Sequence, residues 1–126
     1  MAVGSSHLYW ANLGGGTIVE AGLDGSNPQT IASGQPTPVG VAVDASHLYW
    51  TVPDAGTVIE AGLDGSNPQT IASGQNFPFG VAVDASHVYW ANQGGGTIVE
   101  AGLDGSNPQT IASGQAGPLG VAVGPR

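Results

Sequence analysis

The chain has 126 residues, no cysteine and a formal net charge of −8 at pH 7, with Arg126 as its one Lys or Arg. The lack of cysteine excludes disulfides and thiolate metal sites, and the acidic balance argues against nucleic acid or an anionic membrane as partner. No apolar run approaches the roughly 18 residues of a membrane-spanning helix. The first residues lack the basic and apolar regions of a secretory signal, so we expect a soluble protein, suited to recombinant cytoplasmic expression, and assign no cellular location.

A repeat of 40 residues organises the chain. The stretch 22–35 recurs without a change at 62–75 and 102–115. A period near 40 with four short strand-like runs per unit is typical of β-propeller blades, so we predict an all-β propeller with three four-stranded blades. The predicted single domain, 1–126, divides into repeats at 2–41, 42–81 and 82–121 and a C-terminal closing strand at 120–124.

In the second repeat the predicted elements follow one another as four short strands. Residues 40–44, rich in valine, suit the crowded innermost strand around a propeller axis. A tight turn leads to a second strand at 47–52, and a loop leads to a third at 57–63. The turn Asp-Gly-Ser-Asn at 64–67 leads to an outermost strand at 68–72, where a proline is tolerated at the sheet edge.

Each second strand carries a Tyr-Trp pair, which the alternation of a strand places on opposite faces of the sheet. Because both faces of a blade pack on neighbouring blades, we expect these bulky side chains to fill the wide spaces between adjacent sheets. The predicted blade core consists of Tyr9, Trp10, Tyr49, Trp50, Tyr89 and Trp90.

The runs Leu-Tyr-Trp-Thr at 48–51, Thr-Val-Ile-Glu-Ala at 57–61 and Leu-Asp-Gly-Ser-Asn at 63–67 resemble a YWTD-type blade of the low-density-lipoprotein-receptor class B kind. The blade is similar also to NHL propellers and to bacterial lactonase-like or lyase-like six-bladed propellers. The resemblance extends over 3–123. In that family an Asp after Tyr-Trp-Thr helps tie blades together, whereas Val52 stands here, so cohesion between blades is expected to depend more on packing.

The repeats are also unusually alike, since the first and third differ at seven of 40 positions. Such near-identity resembles a computationally designed or consensus symmetric propeller of the engineered Cake or Scone type. A recent duplication of a natural segment is the alternative.

The innermost strand is encoded a fourth time at the chain ends. Residues 1–4 and 121–124 both match the strand at 41–44, although three blades need three such strands. We predict that 120–123 of one copy completes the first blade of the next and displaces 1–4, a strand exchange that also covers an exposed sheet edge. The predicted oligomer interface comprises Met1, Ala2, Val3, Gly120, Val121, Ala122 and Val123.

Three blades are too few to close a propeller ring, so the chain itself is the predicted partner. Two copies would make a ring of six blades and three copies a ring of nine. The homodimer is favoured, because two-fold assemblies are the commonest and six blades is the number in the resembled families, and the homotrimer is second. An intertwined dimer with inequivalent blades is a less regular alternative.

Three sets of titratable residues recur once per repeat. The histidines at 7, 47 and 87 are too far apart around a ring to share a metal ion, so we interpret them as structural. The Asp-Gly-Ser-Asn stretches lack the ligand pattern of a calcium loop and are interpreted as turns. Glu20, Glu60 and Glu100 are expected either as solvated charges or as an acidic rim that could attract cations or basic partners.

We predict no catalysis and no cofactor, because an active site needs unlike groups converging from different blades and each repeat carries the same groups. The alternative function is that of a fragment of a bacterial ligand-binding or lactonase/lyase-like six-bladed propeller. Its candidate feature is the second link between blades, which holds Phe77 and Phe79, the only phenylalanines. We expect Phe77 to cap the core, whereas an exposed Phe77 could contact a ligand.

Overall fold

The computed structural model describes residues 2–4 and 6–124. Within these ranges twelve strands form three four-stranded antiparallel sheets, one for each repeat. No helix of the described chain is long and apolar enough to cross a membrane. The strands are β1 (Ala2–Val3), β2 (His7–Asn12), β3 (Thr17–Gly22), β4 (Gln29–Ala32), β5 (Val41–Val43), β6 (His47–Val52), β7 (Thr57–Gly62), β8 (Gln69–Ala72), β9 (Pro78–Val83), β10 (His87–Asn92), β11 (Thr97–Gly102) and β12 (Gln109–Ala112).

Each sheet is a meander in which consecutive strands pair from the innermost outward. In the middle sheet Ala42 lies opposite Tyr49, which in turn lies opposite Glu60. The pairing of β7 with β8 shifts register between Val58 and Ile59. The prediction of an all-β fold with three four-stranded blades is confirmed.

The strands are slightly shorter than predicted where a turn takes over their backbone hydrogen bonds. The amide of Gly62 donates to the carbonyl of Ser66 at 2.9 Å, which ends β7 at Gly62 instead of at 63. The outermost strand begins at Gln69 and not at Pro68, because proline has no amide hydrogen to pair.

The Asp-Gly-Ser-Asn turn has the same conformation in all three sheets. In the middle sheet the amide of Ser66 donates to Oδ1 of Asp64 at 3.0 Å. Gly65 has a φ of 85° and Asn67 a φ of 50°, and glycine and asparagine tolerate this left-handed region best. The turn chemistry therefore explains why this stretch contains these residue types.

The core forms two layers, one in each space between neighbouring sheets of the described chain. In the first layer Tyr9 and Ile18 pack against Leu48, Trp50 and Val52 of the middle sheet. The second layer repeats this arrangement between the middle and the third sheet. It contains Tyr49, Val58, Val88, Trp90 and Val99.

Each sheet thus has a Trp face and a Tyr face. We call the contact between the Tyr face of one sheet and the Trp face of the next a junction. Tyr49 and Trp50 are completely buried because the middle sheet has a junction on both sides. Trp10 and Tyr89 are only partly buried, since the first sheet lacks a neighbour on its Trp face and the third lacks one on its Tyr face.

Candidate functional site

The two junctions contain the same hydrogen bond from a buried tryptophan indole. The indole Nε1–H of Trp50 donates to Oε1 of Gln35 at 3.1 Å, and that of Trp90 donates to Oε1 of Gln75 at 3.0 Å. A buried indole N–H needs an acceptor, and the glutamine at the end of the preceding repeat supplies it. Sequence reasoning overlooked these glutamines, although each closes the stretch that recurs without a change.

A second shared contact lies at the outside of each junction. A Cβ added at Gly65 would collide with the carbonyl of Ile31 in the preceding sheet, and one at Gly105 would collide with the carbonyl of Ile71. The turns of the middle and third sheets therefore lie directly on the outermost strand of the sheet before them. Glycine is required there both for its positive φ and for the close backbone approach.

We call the Trp face of the first sheet the N-terminal end face. It carries the equivalents of these junction residues, and no other sheet of the described chain covers them. Trp10 and Leu8 are partly exposed, while Leu23 is 54% exposed. A Cβ added at Gly25 would meet nothing within 4 Å. The N-terminal end face therefore exposes the residue types that the Trp faces of the middle and third sheets bury.

The Tyr face of the third sheet, which we call the C-terminal end face, likewise exposes residues that are more buried on the equivalent faces of the first and middle sheets. Ile111 is 54% exposed, whereas Ile31 and Ile71 are half-buried against the core layers. Gln115 is exposed, and its amide donates to the carbonyl of Ser113 at 2.9 Å. The equivalent Gln75 makes the same bond at 2.9 Å while accepting from a tryptophan.

The predicted oligomer interface lies partly at the axis, where the innermost strands meet. Ala2 pairs with Tyr9 and Val3 with Leu8, so the chain's own N-terminus fills the innermost position of the first sheet. Met1 lies outside the described residues. The other members of the predicted interface are Gly120, Val121, Ala122 and Val123, which form no strand.

The segment 121–123 nevertheless lies where a further innermost strand would start. The amide of Gly80 donates to the carbonyl of Leu119 at 2.6 Å, and a Cβ at Gly80 would contact Gly120. A Cβ at Gly40 would collide in the same way with the carbonyl of Phe79. The chain after Leu119 therefore follows β9 as β9 follows β5.

The histidines and tyrosines of the second strands form a local network with the turn aspartates. Oδ1 of Asp44 accepts from the amide of His47 at 2.7 Å, and Oδ2 accepts from the hydroxyl of Tyr49 at 3.0 Å. Oγ of Ser46 lies 3.0 Å from Nδ1 of His47. Burial, followed by the Asp44 carboxylate, raises the pKa of Tyr49 above its ordinary value.

The first sheet lacks the carboxylate of this network because Gly4 occupies the position of Asp44, although Oγ of Ser6 still lies 2.8 Å from Nδ1 of His7. The hydroxyl of Tyr9 donates instead to Oε2 of Glu20 at 3.4 Å. Burial and then the Glu20 carboxylate raise the pKa of Tyr9. A cleft of about 490 Å³ lies here between the first and middle sheets, lined among others by Tyr9, Glu20 and Asp44.

The glutamates of the predicted acidic rim, at 20, 60 and 100, are half-buried on the Tyr faces. Each lies opposite the tyrosine of its own sheet. In the described ranges, 2–4 and 6–124, no three histidine or carboxylate side chains are grouped closely enough to hold a metal ion.

Phe77 lies in the link before the third sheet. Its side chain is 45% exposed and its φ is 57°, a region that bulky residues seldom adopt. The expectation that Phe77 caps the core is therefore wrong. A single exposed ring does not by itself form a binding site.

Comparison with solved structures places the fold among β-propellers. The chain is similar to one in the crystal structure of a nidogen/laminin complex, with a TM-score of 0.84 and 27% identity over 91% of this chain and 47% of that one. It is similar to virginiamycin B lyase from Staphylococcus aureus, with a TM-score of 0.78 and 16% identity over 98% of this chain and 44% of the lyase. A streptogramin B lyase has a TM-score of 0.73 and 15% identity over 92% and 41%.

These structures are YWTD-like and NHL-like propellers, and the likeness confirms the predicted propeller fold. The chain spans less than half the length of each of them. No protein-family model and no curated protein matches the sequence.

Proposed function

We propose that the chain is a structural subunit that assembles with copies of itself into a closed β-propeller ring, by exchange of its innermost strand and without catalysis. One observation carries the proposal. Residues 121–123 repeat an innermost strand and follow β9 at the axis, yet they pair with no strand in the part of the chain that the structure describes.

The exchange would place 120–123 of one copy beside β2 of the next. There it would replace Ala2–Val3, which forms only two residue pairs with β2. The incoming strand has three residues that match Val41–Val43, and that strand forms three pairs with β6. Main-chain hydrogen bonds would supply the affinity, as they do wherever a strand is added to a sheet edge.

Ring size is the next element of the proposal. Two copies would give six blades, and the chain spans 41 to 47% of the propellers to which it is similar. This proportion supports the homodimer as first choice, with the homotrimer second. The near-identity of the repeats supports a symmetric design as their origin, because the Trp–Gln hydrogen bond and the Gly–Ile contact recur with the same residue types at both junctions.

The absence of catalysis is supported by the hydrogen bonds that the polar side chains make within the fold. The carboxylate of Asp44 is bonded to Tyr49 and to the backbone of His47. Gln35 and Gln75 bind indole groups. The lyases among the similar structures are at most 16% identical, a level that extends to the fold alone.

Native mass spectrometry at neutral pH tests the proposal. We expect two or three times the chain mass of 12.4 kDa. A single species at the mass of one chain would overturn self-assembly.

Two deletions test the exchanged strand. Removing 120–126 should leave a folded monomer, whereas removing 2–4 should leave the assembly intact, with circular dichroism checking the fold of both. If removing 2–4 dissolves the assembly and removing 120–126 does not, closure uses the N-terminal strand and the proposed exchange is wrong.

A further inference from the structure

We infer that the two end faces are complementary halves of one inter-chain junction, in which the outermost strand of one copy packs on the Asp-Gly turn of a second copy. The junction joins Ile111 to Gly25 and Gln115 to Trp10. It rests on the proposed self-assembly, and it adds a surface and a partner position that strand exchange alone does not specify.

The turn contact is the first support. Inside the chain, the glycine of one turn lies on the backbone of an isoleucine in the preceding sheet, at Gly65 on Ile31 and at Gly105 on Ile71. Gly25 and Ile111 occupy the equivalent positions but have no such contact in the described chain. Gly25 has open space where a Cβ would be, and Ile111 is 54% exposed on the opposite end of the chain.

The indole hydrogen bond is the second support. Two tryptophans donate to the glutamine of the preceding repeat, which leaves Trp10 and Gln115 as the unmatched donor and acceptor of this series. The amide of Gln115 is already held by Ser113 as that of Gln75 is held by Ser73. Its Oε1 is therefore oriented for an indole before any partner arrives.

The distribution of exposed apolar side chains is the third support. Leu63 and Leu103 pack against the core layers, whereas Leu23 is 54% exposed. Leu119 is also 54% exposed, although the equivalent Phe79 is partly buried. Covering the end faces with each other would bury the side chains that the internal junctions bury.

The two halves are unlike, so each contact joins the C-terminal end face of one copy to the N-terminal end face of another. Contacts of this kind form a ring if the rotation closes and a filament if it does not. The same step from sheet to sheet already occurs twice inside the chain, and continuing it leads around the propeller axis. The occupant of each end face is thus a second copy of this chain.

A glycine pair provides the test. Gly25→Ala places a methyl group at the junction, whereas Gly34→Ala is the matched control. Gly34 has a φ of 70°, and in all three repeats the space around this position is open, at Gly34, Gly74 and Gly114. Both variants impose similar backbone strain on the single chain, so a difference in assembly comes from the junction.

We expect Gly25→Ala to weaken assembly about tenfold or more, as overpacking of a close contact does, and Gly34→Ala to leave it unchanged. The dissociation constant is measured by sedimentation velocity over a dilution series. Equal dissociation constants for both variants, with wild-type protein still assembled, would overturn the junction but not the strand exchange. Wild-type protein that stays monomeric would overturn the proposed function instead.

Mixing two variants tests the unlike halves. Gly25→Ala places a methyl group on the turn at the N-terminal end face. Ile111→Asp places a charge on the outermost strand at the C-terminal end face. A mixed ring of two chains keeps one wild-type contact, whereas each variant alone keeps none. We expect the mixture to assemble at a lower concentration than either variant, with mixed species in native mass spectra. Homogeneous species only, with no gain on mixing, would contradict the pairing of Gly25 with Ile111.

Discussion

The first and middle sheets carry nearly the same second strand, but their tryptophans differ in environment. Trp50 is fully buried and bonded to Gln35, whereas Trp10 is partly exposed on the N-terminal end face. The neighbouring strands within each sheet do not explain this difference in burial. It arises from whether another sheet covers the Trp face, so burial in this fold depends on the neighbouring repeat.

Removing the indole of the middle sheet should have the largest effect on stability. Trp50→Ala should lower the free energy of unfolding by about 3–5 kcal/mol, the usual cost of truncating a buried aromatic side chain. Trp10→Ala should cost less than half as much when the chain is monomeric. Urea denaturation at a concentration where native mass spectra contain single chains checks both values. Equal losses would contradict the exposure of the N-terminal end face.

Alkaline pH should lower the stability of the fold through Tyr49 of the middle sheet. Burial and Asp44 raise the pKa of Tyr49 in the folded chain above the ordinary 10.0, so the protonated phenol is favoured by folding. The associated stability is complete below pH 10 and is lost as the pH rises through the folded pKa. Melting temperatures should therefore fall above pH 10, and Tyr49→Phe should flatten that fall. An unchanged slope in the variant would refute this cause.

Acidic pH should lower the stability of the fold by protonating aspartates in the turns. Hydrogen bonds from Ser66 and Ser106 lower the pKa of Asp64 and Asp104, and those from Ser86 and Tyr89 lower the pKa of Asp84. Stability from a lowered carboxyl pKa is present above its ordinary value of 3.8 and is lost as the pH falls through the folded value. Melting temperature should hence decline below about pH 4. Asp84→Asn should reduce that decline. If the melting temperature of the variant falls with pH as steeply as that of the wild type, Asp84 does not contribute to the acid sensitivity.

Restoring the missing aspartate should have the smallest effect. Gly4→Asp would give Tyr9 the partner that Tyr49 has in Asp44, and a Cβ at Gly4 meets only ordinary contacts, the nearest at 3.6 Å. We expect a gain of about 0.5–1.5 kcal/mol in the free energy of unfolding of the single chain, the net value of one hydrogen bond, in urea denaturation at a dilution where native mass spectra contain only monomer. Gly4→Ala is the control, because it changes the backbone entropy without adding a carboxylate. A gain no larger than that of the control would disprove the bond.

The sequence was sufficient to predict the sheets, because both the repeat length and the alternation within 47–52 are local properties. Strand ends were less accurate where a turn takes over backbone groups, as at Gly62. The role of Gln35 could not be found within one repeat, since its partner Trp50 belongs to the next. The conformation of Phe77 was also missed, because the link that contains it occurs once and has no second copy for comparison.

The two junctions inside three sheets have a simple numerical consequence. An open row of three blades has two shared boundaries, whereas a closed ring has as many boundaries as blades. Closing the ring would therefore add one boundary per chain, a rise of one half in inter-blade contact, without a single added residue. A gene that joined two copies end to end would gain the same boundaries at any dilution, because its halves could not diffuse apart.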